Sequence, residues 1–127
     1  MTRLNVPGEK PLHWIGSALK EVRRFPAEVQ RTMGFALGAA QFGGKHSSSK
    51  PWKGQGPSVL EIVKDFDGDT FRAVYAVRFA RAVYVLHAFQ KKSPHGVKTR
   101  QSDIDLVRER LKIAELDYKE RYGETNT

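Results

Sequence analysis

Apolar positions along the chain are spaced first as in helices, then as in strands, then as in a helix again, and the breaks between them mark the elements. In "HWIGSALKEVRRFP", Ile15, Leu19 and Val22 recur at helical spacing. The Phe25-Pro26 pair closes that segment, because a residue preceding proline is pushed out of the helical region. Pro26 then suits the start of a second helix, "PAEVQRTMGFALGAAQF", whose stripe is Val29, Met33, Ala36, Leu37 and Ala40. Gly34 and Gly38 weaken this helix and are read as permitting close packing. The short link makes the two helices an antiparallel hairpin. Residues Gly43 to Ser58, rich in glycine, serine and proline, read as a loop.

After that loop the period falls to two. "VLEIVKDF", "TFRAVYAVRF" and "AVYVLHAF" are dominated by Val, Tyr, Phe and Ile and are separated by short turns. They predict an antiparallel meander. Helical spacing returns in "SDIDLVRERLKIAELDYKERYG", with Ile104, Val107, Leu111, Ala114 and Tyr118 on one stripe. Ser102, with Asp105 three residues on, resembles a capping box, and Gly123 suits the stop. The expected fold class is α+β: an N-terminal helical hairpin, a three- to four-stranded antiparallel sheet and a C-terminal helix. A single domain is expected over 1–127, with an extended arm at 1–12 and a frayed tail at 123–127. Helices on one face of such a sheet would leave the other face open.

Charge adds a direction to this picture. The 127 residues carry 22 Lys and Arg against 14 Asp and Glu, a formal +8. Nucleic acid, an anionic membrane or an acidic protein are the partners such a balance favours. Two loops concentrate it. The exit from the last strand, residues 90–101, carries Lys91, Lys92, Lys98 and Arg100, and the loop before the first strand carries Lys45, Lys50 and Lys53. Neither contains an acid, and together they hold seven of the 22 cations. Alternation puts Phe71, Ala73, Tyr75 and Val77 on the helix-packed face and Arg72, Val74, Ala76 and Arg78 on the open one. Arg72 there has two readings: a solvated arginine on a polar face or, rimmed by two basic loops, part of a cradle for a phosphate backbone. Trp52, between Lys50 and Lys53, has two readings: a platform for a base, or a plug that pins its loop. Strand alternation sets His87 on the side of Val83, Val85 and Phe89, where a buried, hydrogen-bonded role is the commoner one. His46 and His95 are loop histidines able to titrate near neutrality.

Other chemistries are absent. Without cysteine the chain has no disulfide, thiolate zinc site or cysteine nucleophile. "DFDGD" opens like a calcium loop but lacks the remaining ligands, so it reads as a hairpin turn, and no metal or cofactor is expected. There is no Ser-His-Asp arrangement, phosphate-binding P-loop or dinucleotide fingerprint. No signal-peptide core and no membrane-length apolar run occurs, so a cytoplasmic protein without membrane contact is expected.

The order and spacing of Leu60-Glu61-Ile62, Phe71-Arg72-Ala73-Val74-Tyr75 and Leu86-His87-Ala88-Phe89-Gln90-Lys91-Lys92, behind two helices and before a capped third, resemble the RelE/ParE toxin superfamily. The likeness is to its phage-derived, HigB-like branch and spans about residues 14–115. It implies the toxin of a type II toxin–antitoxin system, a metal-independent endoribonuclease that cuts mRNA on the ribosome. It also implies a cognate antitoxin, in this branch often a helix-turn-helix protein. By this resemblance Arg72 is a transition-state clamp, Lys92 or Lys91 shares that role, and His87 matches the branch's strand histidine. Lys50, Trp52, Lys53, Lys98 and Arg100 would hold RNA or ribosome. Glu61 stands where other members carry first-strand lysines, and it is one choice of general base. Two other functions share these features: a ParE-like toxin that inhibits gyrase without catalysis, and a non-enzymatic module that docks nucleic acid or an antitoxin.

Overall fold

A computed structural model describes residues 7–91 and 99–123. The chain runs β1 (Leu12–Trp14), α1 (Ala18–Arg23), α2 (Ala27–Gln41), β2 (Ser49–Pro51), β3 (Val59–Phe66), β4 (Asp69–Ala76), β5 (Val83–Lys91) and α3 (Gln101–Tyr122). The class is the α+β arrangement expected, and the sheet is larger than the pattern indicated. Five strands lie in the order β1-β5-β4-β3-β2. All neighbours are antiparallel except β1, which lies parallel to β5 with Leu12 opposite Val83.

Two corrections follow at the N-terminus. Residues 12–14, assigned partly to the arm and partly to the first helix, add a strand to the edge of β5, and α1 is only six residues long. Ile15 therefore owes its burial to that strand's exit rather than to a helical stripe, with its N–H bonded to the Val85 carbonyl at 2.9 Å. In contrast, the α2 stripe stands as read, with Val29, Met33, Ala36, Leu37 and Ala40 all buried. Among the described residues its two glycines serve no close packing, since a Cβ added at Gly34 or Gly38 would meet nothing within 4 Å.

The turn between β3 and β4 is Asp67-Gly68, with φ of 52° and 84°. Two consecutive positive φ values match the right-handed twist of a tight hairpin, which is why Asp-Gly occupies them. β4 stops at Ala76, so Arg78 and Phe79 belong to the connection to β5. Both faces of the sheet are packed. Phe71, Ala73 and Tyr75 meet α1 and α2 in one core, together with Ile62, Val83 and Val85. Val74, Ala76, Tyr84 and Leu86 meet Val107, Leu111, Ala114 and Tyr118 of α3 in a second. The face expected to be open is thus largely covered by α3. At the start of α3 the capping position is Arg100, without a side-chain cap, and Ser102 is not the cap. Gly123 ends the helix in the left-handed conformation, at φ 67°.

Candidate functional site

Where α3 leaves the sheet uncovered, a cleft of about 760 Å³ opens. It is lined by Lys50, Pro51, Trp52 and Lys53 from β2 and its exit, Glu61 from β3, Arg72 from β4 and Lys91 from β5. Thr99, Gln101 and Ile104 close it from the α3 side. Four cations surround one carboxylate. Register explains the convergence. Lys50 lies opposite Glu61, and Glu61 lies opposite Val74, two residues along β4 from Arg72. The side chains of Glu61, Arg72 and Val74 share a face because residues two apart on a strand do.

Arg72 and Glu61 are ion-paired, and their side chains are only 17% and 9% exposed. The Arg72 Nε is buried and has no hydrogen-bond partner among the described residues, and the same is true of Trp52 Nε1. Buried donors without partners are uncommon in a folded chain. Here two of them belong to residues that line one cleft. Partial burial lowers the Lys91 ammonium from its ordinary range, and the nearby charges of Arg72 and Lys50 act in the same direction. The carboxylates of Glu61 and Asp103 oppose them.

Trp52 is 4% exposed and meets Phe89 edge to face, with ring centroids 6.3 Å apart. It is the plug of the two readings and forms a wall of the cleft. Arg100 is exposed and does not line the cleft, although its neighbours Thr99 and Gln101 do. Lys92, Lys98 and His95 lie outside the described residues. His46 accepts a hydrogen bond from the Ser48 N–H through Nδ1 and shapes its loop.

His87 occupies a different place from the one strict alternation assigns. The β4–β5 register shifts between Val74 and Tyr75, so that His87 pairs with Val74 while Val85 pairs with Tyr75, and Leu86 is the extra residue. Such a bulge turns the strand by one residue. His87 and Phe89 consequently lie on the α3 side, stacked at 5.1 Å, while Val83 and Val85 face α1 and α2. The imidazole is sandwiched between carboxylates, with Nδ1 3.1 Å from Glu21 Oε1 and Nε2 2.7 Å from Asp103 Oδ1. Arg110 completes the group, donating to Glu21 at 3.3 Å, to the Leu86 carbonyl at 3.0 Å and to Ser17 Oγ at 2.8 Å. Ser17 donates in turn to Glu21 Oε2 at 3.0 Å.

Burial works against a charged His87 ring, but the hydrogen bonds to Glu21 and Asp103 outweigh it and raise its pKa. Burial likewise pushes Glu21 up, while bonds from His87 and the Ala88 N–H and the charges of His87 and Arg110 bring it down to about 2. Each ring nitrogen thus has a carboxylate oxygen within hydrogen-bond distance. The ring does not line the cleft. Glu21, Asp103 and Arg110 went unnoticed in the sequence. The available signal was Asp103 and Arg110 seven residues apart on one helix face, but α1 had to be docked before it had meaning.

A small α+β domain with a basic cleft beside a packed sheet is the class this geometry defines. The family model described as phage derived protein Gp49-like (DUF891) matches residues 20–112, and the chain belongs to that family. The family is RelE-like and related to toxin–antitoxin systems. No curated protein sequence matches the chain. Among the described residues, no helix is long and apolar enough to cross a membrane.

Proposed function

We propose that the chain is the toxin of a toxin–antitoxin pair and that it cleaves mRNA on the ribosome through the cleft at Arg72. The observation that carries this reading is the convergence of Lys50, Lys53, Arg72 and Lys91 on one carboxylate, Glu61. Cleavage of RNA without metal needs a base for the ribose 2′-OH, an acid for the departing 5′-oxygen and cations for the charge on phosphorus. Arg72 is already engaged by Glu61, so an incoming phosphate competes for the guanidinium and releases the carboxylate. The freed Glu61 takes the 2′-OH proton as the 2′-oxygen attacks phosphorus. The P–O5′ bond breaks, and Lys91, its ammonium made more acidic by its surroundings, protonates the leaving oxygen. A cyclic phosphate and a free 5′-hydroxyl result. Lys92 follows Lys91 directly in the chain and supports the same charge. Lys50 and Lys53 grip the backbone. The HigB-like branch supplies the expectation that the cognate antitoxin is a helix-turn-helix protein.

The test is a purified translation reaction with a defined mRNA, read by primer extension, comparing wild type with Arg72→Ala and Arg72→Lys. The lysine variant keeps a cation against Glu61, so it guards against loss of fold, but it lacks the guanidinium fork. Ribosome-dependent cuts in wild type, reduced by about 100-fold or more in both variants, are expected. Intact mRNA with wild type overturns the proposal, and inhibition of gyrase by the same preparation would replace it.

A further inference from the structure

The outward face of α2 has the composition of a surface meant to be covered. Phe35 is 66% exposed and Phe42, which caps the helix just past its end, 57%, and seven residues apart they fall on one side of its axis. Gly34, Gly38, Ala27 and Ala39 fill most of the remaining outward positions, and Arg31 and Glu28 are the charges there. Each glycine inside a helix costs about 1 kcal/mol against alanine. A glycine that lets two elements of one chain approach would repay that in packing, yet a Cβ at Gly34 or Gly38 meets nothing within 4 Å. The bare backbone is flanked by two large rings and has no neighbour among the described residues. A shallow furrow between aromatic shoulders results.

The rim decides what fits it. Arg31 is exposed at the centre, exposed Arg23 and Arg24 sit at the N-terminal end, and exposed Lys45 follows the C-terminal end. The Gln30 side chain bonds the Arg23 carbonyl at 3.1 Å, which ties that end of α1 to α2. The one acid, Glu28, is engaged by Lys64 at 3.7 Å. A second copy of the chain laid on this furrow would set Arg31 and its neighbours against cations of the same kind. We infer that the outward face of α2 docks an amphipathic helix of a second protein, with small residues over Gly34 and Gly38, apolar side chains against Phe35 and Phe42, and acids flanking them to meet Arg31 and the rim. The face lies across the sheet from the cleft, because α2 packs in the core of Phe71, Ala73 and Tyr75 while Trp52 belongs to the core under α3. The inference stands apart from the chemistry proposed for the cleft.

The probe is a synthetic helical peptide long enough to span α2, with alanine along one face, leucine beside it and glutamate at the edges. A second peptide carries lysine in place of glutamate. Binding to the full chain is followed by fluorescence anisotropy. The glutamate peptide is expected to bind at least about tenfold more tightly than the lysine peptide, and Arg31→Glu to reverse that preference. The double variant Gly34→Leu, Gly38→Leu fills the furrow while removing two poor helix formers. It is expected to lose about tenfold or more in affinity while its melting temperature does not fall. Equal binding of the two peptides, no binding of either, or affinity unchanged in the glycine variant would overturn the inference. Sedimentation of the chain alone as a dimer that this double variant converts to monomer would overturn it in favour of self-association.

Discussion

Two of the sites where this molecule sets arginine against carboxylate, those of Arg110 and Arg72, are built in opposite ways. Around His87, two acids and two bases from α1, β5 and α3 balance one another, and Arg110 also donates to the Leu86 carbonyl and Ser17. In the cleft, four cations line the wall with Glu61 as the one carboxylate among the described lining residues, and Arg72 keeps a buried donor without a partner among the described residues. The first arrangement is complete and has nothing left to offer a ligand. The second is incomplete in the sense that an anion would finish it. Closed charge networks fasten elements together, whereas an excess of one sign at an opening is what a substrate can use.

The contrast is sharpest in Glu61→Gln against Glu21→Ala. If Glu61 is the base, its amide lowers cleavage by about 100-fold or more, while RNA is held at least as tightly because Arg72 is released. Cleavage unaffected by the change would move the base elsewhere. Glu21→Ala leaves the buried Arg110 guanidinium and the His87 ring each short of an acceptor, and a loss of about 3 kcal/mol in folding stability is expected from urea titration. A loss below about 1 kcal/mol would mean that the network is looser than its distances imply.

pH separates the two sites next. The raised His87 pKa contributes stability that is complete below its unfolded value of 6.5 and is lost as pH rises through the folded value. Glu21 acts on the other side. Its contribution is complete above the unfolded value of 4.5 and disappears as pH falls toward about 2. Stability from this group is therefore greatest between these limits, and His87→Gln is expected to flatten the alkaline limb in thermal melts at a series of pH values. The smallest expected effect lies at the rim. Lys50→Ala or Lys53→Ala leaves stability within about 0.5 kcal/mol of wild type. Each variant reduces the salt dependence of RNA binding by about one counterion.

Periodicity made the larger elements legible. The α2 and α3 stripes and the three long strands were readable because each carries enough turns or alternations to define a face. Three-residue strands carry no such period, so β1 and β2 were invisible, and with them the pairing that shortens α1. The bulge at Leu86 was hidden for a related reason, since alternation assumes a regular ladder. The covering of the second face by α3 did leave a trace. The runs "AVYA" in β4 and "VYVL" in β5 are apolar on both sides, the mark of strands buried twice, whereas a half-open sheet alternates. Of the cleft, Arg72, Lys91, Lys50 and Lys53 were readable from charge and strand parity. Thr99, Gln101 and Ile104 joined it only because α3 folds back across the sheet.

The parallel seat of β1 beside β5 has a kinetic consequence. Leu12 meets Val83, so one of the first described segments must wait for one of the last strands before it can pair. The β3–β4 hairpin closes through a two-residue turn and needs no distant partner. Closing a long loop consumes chain entropy before any contact compensates for it, and contacts of this kind slow folding. The hairpin therefore has the means to form early, with β1 arriving late. In such an order Arg72 and Glu61 are side by side well before β1 completes the far edge of the sheet.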